Sequence, residues 1–268
     1  MDKRPIGMFD SGFGGLTVAR AVMDLLPAES LVYVGDTARY PYGDRPAEQV
    51  GEFASQIAHW LVEEAGVKMV VVACNTASAI ALDRLRGELD VEVIGVIEPG
   101  VRAGVAASRT GRIGVIGTVG TVASGAYQNR FAAEEGVQLA CAACPGFVEF
   151  VERGETDTDQ VLVLAERLLG PVRGAEVDTL VLACTHYPFL ARTIAEVMGR
   201  EVVLVSPAEE TAFEVRRILS DSGLAAPAGN EPWHRWLCSK DPGHFAALGR
   251  MMLGPELASV ERVDWEDL

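Results

Sequence analysis

Two short segments of this 268-residue chain resemble each other. Residues 70–76 read VVVACNT and residues 179–186 read TLVLACTH. Each is an apolar, β-branched run, which predicts a strand buried on both faces with Cys74 or Cys184 at its carboxyl end. Open α/β folds place their chemistry at these strand ends. Two such cysteines suggest two acid/base groups that face one substrate from opposite sides, the arrangement that inversion of a stereocentre requires.

A second pair of segments repeats at nearly the same spacing as the cysteines. The segment IGMFDS at residues 6–11 matches IGVIGT at residues 113–118. The sequence therefore predicts an α/β fold with two pseudo-symmetric domains, each with a mostly parallel sheet flanked by helices. We expect a first domain of residues 1–98 plus 208–268, which carries Cys74, and a second domain of residues 99–207, which carries Cys184.

Hydrophobic periodicity places the individual elements. It predicts strands at 6–9, 30–34, around 70 and at 91–97, helices at 16–26, 47–65, 79–89 and 209–219, and an irregular loop at 38–46. The helix at 209–219 is expected to pack back on the first half. Residues 233–268 are predicted to form a helix and a loop without a motif.

Charge and cysteine content limit the partners and the compartment. The formal net charge of −15 argues against nucleic acid or an anionic membrane as the main partner. No apolar stretch approaches the roughly 18–20 residues of a membrane span, and the first residues lack the pattern of a signal peptide. The five cysteines are therefore expected to be reduced, and the protein cytoplasmic.

The glycine-rich segments do not complete a nucleotide-binding motif. Thr17 stands where the dinucleotide fingerprint needs its third glycine, and no P-loop lysine follows. The better interpretation is a tight strand-to-helix turn. Ser11, Thr118 and Thr121 fall at predicted helix starts, where hydroxyl and amide groups can hold a carboxylate.

Cysteine in a buried strand is often only a small core residue. For Cys74 and Cys184, the polar neighbours and the helix N-termini predicted after them favour catalysis, since such N-termini lower a thiol pKa. His186 then becomes a proton-handling neighbour rather than a structural histidine.

Cofactor and metal chemistry find no support in the sequence. Cys141 and Cys144 have redox or zinc spacing, but no second ligand pair follows, so we predict a structural role and no metal site. A pyridoxal phosphate enzyme needs a Schiff-base lysine, and the sequence context of the three lysines suggests none. We therefore expect no cofactor.

Taken together, these motifs closely resemble those of the bacterial glutamate racemases, within the cofactor-independent aspartate/glutamate racemase superfamily. The matching stretches are Ile6–Gly15, Tyr33–Gly43, Val72–Ala77, Ile94–Gly100, Gly111–Thr121, Cys144–Glu152 and Leu182–Leu190. They span about the first three-quarters of the chain, and the tail after Pro207 adds little.

The resemblance implies a role for each matched residue. Cys74 and Cys184 would transfer the protons, with auxiliary acid/base groups at Asp10, Asp36, Glu152 and His186. The substrate-contacting positions would be Asp10, Ser11, Tyr42, Gly43, Asn75, Thr76, Thr185 and His186.

The resemblance also implies an architecture and a biological role. Glutamate would be buried in the cleft between two domains, the second inserted into the first. Its racemisation, without a cofactor, would supply D-glutamate for peptidoglycan synthesis and so for cell wall biogenesis and cell shape. Oligomeric state varies in this family, so a homodimer is one arrangement that it allows.

Two alternatives stay open at this point. The chain could act on aspartate or another amino acid, because one methylene changes binding in a pocket by only about 1–3 kcal/mol. From a different class, it could be a binding protein on an inactive racemase fold, with DNA gyrase as the partner that the family suggests. Allosteric regulation and the relative rates of the two directions are not set by the sequence.

Overall fold

A computed structural model describes residues 1–265, in which the strands form two sheets with every pairing parallel. The strands are β1 (Ile6–Asp10), β2 (Leu31–Gly35), β3 (Met69–Val72), β4 (Glu92–Gly95), β5 (Arg112–Gly117), β6 (Gln138–Ala143), β7 (Thr179–Ala183), β8 (Val203–Val205), β9 (His234–Cys238) and β10 (Glu261–Arg262). The first sheet has the order β10-β9-β2-β1-β3-β4 and the second the order β6-β5-β7-β8.

Helices flank both sheets, as the predicted α/β class requires. They are α1 (Leu16–Leu25), α2 (Ala47–Glu63), α3 (Asn75–Glu88), α4 (Ile97–Ala107), α5 (Val119–Ala123), α6 (Ala126–Phe131), α7 (Phe147–Glu152), α8 (Asp159–Leu168), α9 (Gly170–Gly174), α10 (Ala191–Met198), α11 (Ala208–Asp221) and α12 (Pro242–Leu253). Short 3₁₀ turns lie at Tyr42–Asp44, Tyr187–Leu190 and Gly254–Glu256. Within residues 1–265, no helix is long and apolar enough to cross a membrane.

The central strands form because their apolar runs can be covered on both faces. Every residue of β1, β2, β3 and β7 is buried. Continuous burial of this kind is typical of parallel sheets between helical layers. The predicted fold class is thus confirmed, and β3 and β7, the strands that precede Cys74 and Cys184, occupy interior positions in their sheets.

Three element predictions need correction. Helix α3 begins at Asn75 rather than at 79, because Cys74 caps it. The strand predicted at 91–97 ends at Gly95, and α4 follows, since proline is tolerated in the first turn of a helix. The tail prediction of helix plus loop is wrong at 234–238, where β9 pairs with β2, and at 261–262, where β10 pairs with β9. Residues 266–268 of this prediction lie outside the described part.

The two sheets divide the chain much as the repeats suggest. Strands of the first sheet come from residues 6–95 and 234–262, and those of the second from residues 112–205. The exact domain boundaries stay a prediction, and the one after residue 98 falls inside α4. Helix α11 packs against both α1 and α4.

A buried ion pair joins the N-terminal segment to the connection that precedes β9. The Lys68 ammonium donates to Glu29 Oε2 at 2.5 Å and to the carbonyls of Asp2 and Leu224, each at 2.9 Å. The other Glu29 carboxylate oxygen accepts from the Ala226 amide at 2.7 Å. All three ammonium hydrogens therefore have acceptors, which offsets the cost of burying the charge.

Replacement of Lys68 by methionine should therefore leave a buried, uncompensated carboxylate at Glu29. We expect Lys68→Met to lower the free energy of unfolding by about 3–5 kcal/mol, measured by urea denaturation. Lys3→Met, at an exposed lysine, is the matched control and should change it by no more than about 0.5 kcal/mol. A Lys68→Met protein as stable as the control would contradict the role given to this pair.

Candidate active site

Cys74 lies between the end of β3 and the start of α3. It is the N-cap residue of α3, and its Sγ accepts a hydrogen bond from the Ala77 amide at 3.5 Å. The thiol itself donates toward Ser11 Oγ at 3.8 Å. The helix N-terminus that the sequence predicts after this cysteine is present, but it begins at Asn75, four residues before the predicted start.

Cys184 occupies the equivalent place after β7, but the chain continues differently. A 3₁₀ turn at Tyr187–Leu190 comes first, and the α-helix that follows is α10. The Tyr187 amide donates to the Cys184 carbonyl at 3.1 Å, and the backbone N–H groups of His186 and Tyr187 act to lower the pKa of the Cys184 thiol. The turn thus supplies amide donors where the sequence predicted a helix N-terminus.

Both thiols line one small cavity between the two sheets. Its other walls are formed by Ser11, Tyr40, Pro41, Tyr42, Gly43, Asn75, Thr76, Thr118, Val148, Thr185 and His186. The cavity measures about 20 Å³, close to the space of a single water molecule. The cavity is therefore nearly closed.

Close backbone contacts produce this narrow gap. A Cβ atom on Gly43 would lie 2.6 Å from Thr118 Cβ, and one on Gly14 would lie 2.7 Å from His186 Nδ1. Neither space accepts a side chain without displacement of its neighbour. Glycine at these two positions therefore lets the halves approach to contact distance.

Asp10 joins the two halves from the end of β1. It is fully buried, and its carboxylate accepts from the Gly12 amide at 2.9 Å and from the Thr185 hydroxyl at 3.2 Å. Burial raises the pKa of this carboxyl, although the nearby His186 and the hydrogen bonds act in the opposite direction.

His186 and Glu152 form a second polar pair beside the cavity. His186 Nε2 lies 3.0 Å from Glu152 Oε1, and the imidazole is almost fully buried. Phe13 packs edge-on against the imidazole with the ring centroids 4.8 Å apart. The carboxylate thus orients the ring, while Glu152 itself stays outside the cavity wall.

Hydroxyl groups of three threonines connect the halves on the opposite side. Thr76 Oγ1 lies 3.0 Å from Thr118 Oγ1 and 3.2 Å from Thr121 Oγ1, and Thr118 donates to Thr121 at 3.0 Å. Thr118 lines the cavity, whereas Thr121 supports it from behind. The structure therefore brings all the predicted substrate-contacting residues to the cavity or into direct contact with its wall.

Asp36 is a predicted site residue that the structure places outside the cavity lining. It is fully buried, does not line the cavity, and accepts a short hydrogen bond from the Tyr42 hydroxyl. Its acid/base role, implied by the resemblance, stays a prediction.

Tyr40 and Tyr127 were missed by sequence reasoning. Tyr40 lines the cavity with its ring centroid 6.0 Å from that of His186, and its buried hydroxyl has no hydrogen-bond partner within residues 1–265. Tyr127 donates to the Asn75 side-chain oxygen at 2.8 Å. Tyr40 could have been found as the aromatic residue in the Pro/Gly-rich loop that supplies Tyr42, whereas nothing local marks Tyr127.

Burial dominates the electrostatics of both thiols. It raises the pKa of Cys74 to about 12, with the Asp10 carboxylate as the second cause. Burial also raises the pKa of Cys184 well above its usual range. The expectation that amide donors would lower these pKa values is wrong in its net direction, because they only partly offset desolvation.

The other cysteines lie apart from this pair. Cys144 and Cys238 are buried and Cys141 is partly buried, each as a free thiol. The structural role of Cys141 and Cys144 stays a prediction. In the part of the chain that the structure describes, no three His, Cys, Asp or Glu side chains are grouped as ligands of a metal ion.

Comparison with known proteins gives consistent matches over nearly the whole chain. The family model described as Asp/Glu/Hydantoin racemase matches residues 16–213. The glutamate racemase of Parafrankia sp. (strain EAN1pec) is 53% identical over 261 residues, which cover 97% of this chain and 94% of that protein. The resemblance stated from the motifs is thereby confirmed.

Solved structures agree with the sequence matches. A crystal structure of a glutamate racemase isoform from Bacillus anthracis has a TM-score of 0.93 at 39% identity and covers 98% of both chains. That of glutamate racemase from Francisella tularensis subsp. tularensis SCHU S4, in complex with D-glutamate, has a TM-score of 0.91 at 32% identity and covers 100% of both chains.

The raised thiol pKa values predict slow reaction of the free protein with iodoacetamide near neutral pH. Since the thiolate is the nucleophile, labelling of Cys74 should rise with pH from 7 to 10 without reaching a plateau. Asp10→Asn removes one cause of the shift and should make Cys74 react faster at pH 8. Peptide mass spectrometry measures both, and a plateau below pH 9 in the unsubstituted protein would contradict this prediction.

Proposed function

The chain belongs to the Asp/Glu/Hydantoin racemase family, and from this membership we propose that it interconverts L- and D-glutamate. Relatives named glutamate racemase share about half of its residues over nearly its whole length. The observation that carries the mechanism is the placement of Cys74 and Cys184 at equivalent strand ends on one cavity.

The proposed reaction uses one sulfur on each face of the substrate α-carbon. The thiolate of one cysteine removes the α-proton, and the thiol of the other delivers its proton to the opposite face. After one turnover the two sulfurs have exchanged protonation states, so the reverse direction starts from the enzyme form that the forward direction leaves. By family resemblance, Cys74 removes the proton from D-glutamate and Cys184 removes it from L-glutamate.

Protonation has to be adjusted when substrate enters, because burial keeps both free thiols neutral. The α-ammonium of glutamate brings a positive charge into the cavity, and an adjacent positive charge lowers a thiol pKa. Asp10 contributes negative charge near both sulfurs and supports the protonated form of each. His186, held by Glu152, lies next to the Cys184 side of the cavity and is the group we assign to proton movement there.

Stabilisation of the developing carbanion falls to groups that are already oriented. The first-turn amides of α3 at Asn75 and Thr76 start a helix whose positive end faces the cavity. With the hydroxyls of Ser11 and Thr185, they can hold the α-carboxylate. Exclusion of water from so narrow a cavity strengthens each of these interactions. Electrostatic stabilisation by such oriented groups is commonly the largest contribution to catalysis.

The biological role follows from the product. D-Glutamate is the amino acid that the family resemblance connects with peptidoglycan synthesis and cell shape. We propose that the chain supplies it in the cytoplasm, without a cofactor. A homodimer remains one arrangement for the active protein.

Incubation with L-glutamate in deuterated buffer, with no added cofactor, tests the mechanism. We expect deuterium at Cα to appear together with D-glutamate, and the formation of D-glutamate to fall by about 10³-fold or more in Cys74→Ser and in Cys184→Ser. Cys141→Ser, at the partly buried thiol on β6, is the matched control and should retain turnover. Full activity in both active-site variants would exclude the two-thiol mechanism.

The same assay separates the alternatives. Turnover of aspartate in preference to glutamate would be consistent with the two-thiol mechanism but would identify a different substrate. Absence of exchange with either amino acid would favour a binding protein, which a gyrase supercoiling assay with Cys74→Ala protein would then test.

A further inference from the structure

A buried carboxylate behind the cavity connects the end of the chain to the loop that forms part of the cavity wall. Asp36 directly follows β2, and its amide donates to the Asp10 carbonyl at 2.9 Å. The two carboxylates thus belong to neighbouring strand ends. Asp10 accepts a hydrogen bond from Thr185 on the other half, whereas Asp36 accepts hydrogen bonds from Ser239 and Trp265 in the tail.

Four donors in residues 1–265 surround the Asp36 carboxylate. Oδ1 accepts from the Ser239 hydroxyl and from the Trp265 indole N–H, each at 2.8 Å. Oδ2 accepts from Arg39 Nε at 2.6 Å and from the Tyr42 hydroxyl. An ionised carboxylate offers about four acceptor sites, so none is left for a substrate proton. This arrangement suits a fixed anchor better than a base.

The anchor acts on the cavity through Tyr42. The Tyr42 side chain is fully buried and lines the cavity, and Gly43 follows it immediately. Gly43 lies against Thr118 on the other half, where a Cβ atom would approach to 2.6 Å. A shift of the Tyr42 hydroxyl would therefore move this backbone relative to the opposite wall.

Both tail donors are held independently of Asp36. Ser239 directly follows β9, and its amide donates to the Gly35 carbonyl at 3.1 Å. The Trp265 carbonyl accepts from Gln56 Nε2 at 3.1 Å, and its ring meets Trp60 edge-on at 6.4 Å. Contacts other than the bonds to Asp36 therefore set the positions of both donors.

We propose that Ser239 and Trp265 are positioning residues of the active site, which fix Tyr42 and Gly43 against the substrate through Asp36. Neither touches the cavity, and neither belongs to the motifs that mark the family. This inference rests on the proposed racemisation of glutamate for its kinetic test. It assigns the tail a role in substrate binding that the sequence pattern does not show.

Trp265→Phe removes the indole N–H and keeps an aromatic ring. Since the loop contacts substrate and the two thiols are unchanged, KM for glutamate should rise about fivefold to tenfold, with kcat within about twofold of the unsubstituted protein. Trp233→Phe makes the same change at an exposed tryptophan of the same segment, and its KM should not change. An unaltered KM in Trp265→Phe, or an equal rise in Trp233→Phe, would overturn the proposal.

A double-mutant cycle tests whether the effect passes through Tyr42. If Trp265 acts by way of Asp36 and Tyr42, the double variant Trp265→Phe, Tyr42→Phe should show no higher KM than Tyr42→Phe alone. If the KM increase of the double variant equalled the product of the increases in the two single variants, Trp265 and Tyr42 would act independently. That result would overturn the proposed connection through Asp36.

Hydrogen exchange of the amides in residues 38–46 supplies a readout that does not need turnover. It should be faster in Trp265→Phe than in the unsubstituted protein and unchanged in Trp233→Phe. If the unsubstituted protein did not racemise glutamate, the proposed function would fail. The exchange measurement would still show whether Trp265 holds residues 38–46 in place through Asp36. Equal exchange in all three proteins would overturn the positioning role.

Discussion

Two parallel sheets meet in this protein with the carboxyl ends of β3 and β7 on either side of one narrow gap, and the other features of the site depend on how narrow it is. Glycine backbone at positions 14 and 43 lets side chains of the opposite half come within contact distance. The threonine cluster and the Asp10 contact to Thr185 then close the gap with hydrogen bonds. A looser contact would leave room for water and weaken every electrostatic interaction in the cavity.

The same closeness explains why the cysteines are poor acids in the free protein. Their amide donors are in place, yet desolvation and the Asp10 charge outweigh them. Neutral thiols are safe from oxidation and from reaction with electrophiles, because the thiolate is the reactive form. In the proposed mechanism, the positive charge of the substrate α-ammonium lowers the thiol pKa, so that thiol reactivity depends on occupation of the cavity.

Features of the structure that depend on neighbouring residues could be predicted from the sequence, whereas features that depend on distant residues could not. The strands of Cys74 and Cys184 were predictable because continuous apolar runs have few other uses in a chain of this kind. β9 was missed, since the short segment HRWLC mixes polar and apolar residues without a clear period. The partners of Asp36 could not be predicted either, because Ser239 and Trp265 are far from it in sequence and only the sheet order brings them together. For the thiols, the sequence indicated amide donors that lower the pKa, but it did not show how strongly burial raises it.

The position of β9 beside β2 has a consequence for how the chain is made. Every residue of the second sheet leaves the ribosome before β9 does, so the first sheet stays incomplete while the second is already able to fold. During that interval the edge of β2 is unpaired, and exposed strand edges favour association with other chains. The pairing of β2 with β9 is also among the most distant in sequence, which slows folding. Release of β9 therefore covers the open edge of β2 and brings Ser239 to Asp36 at the same time.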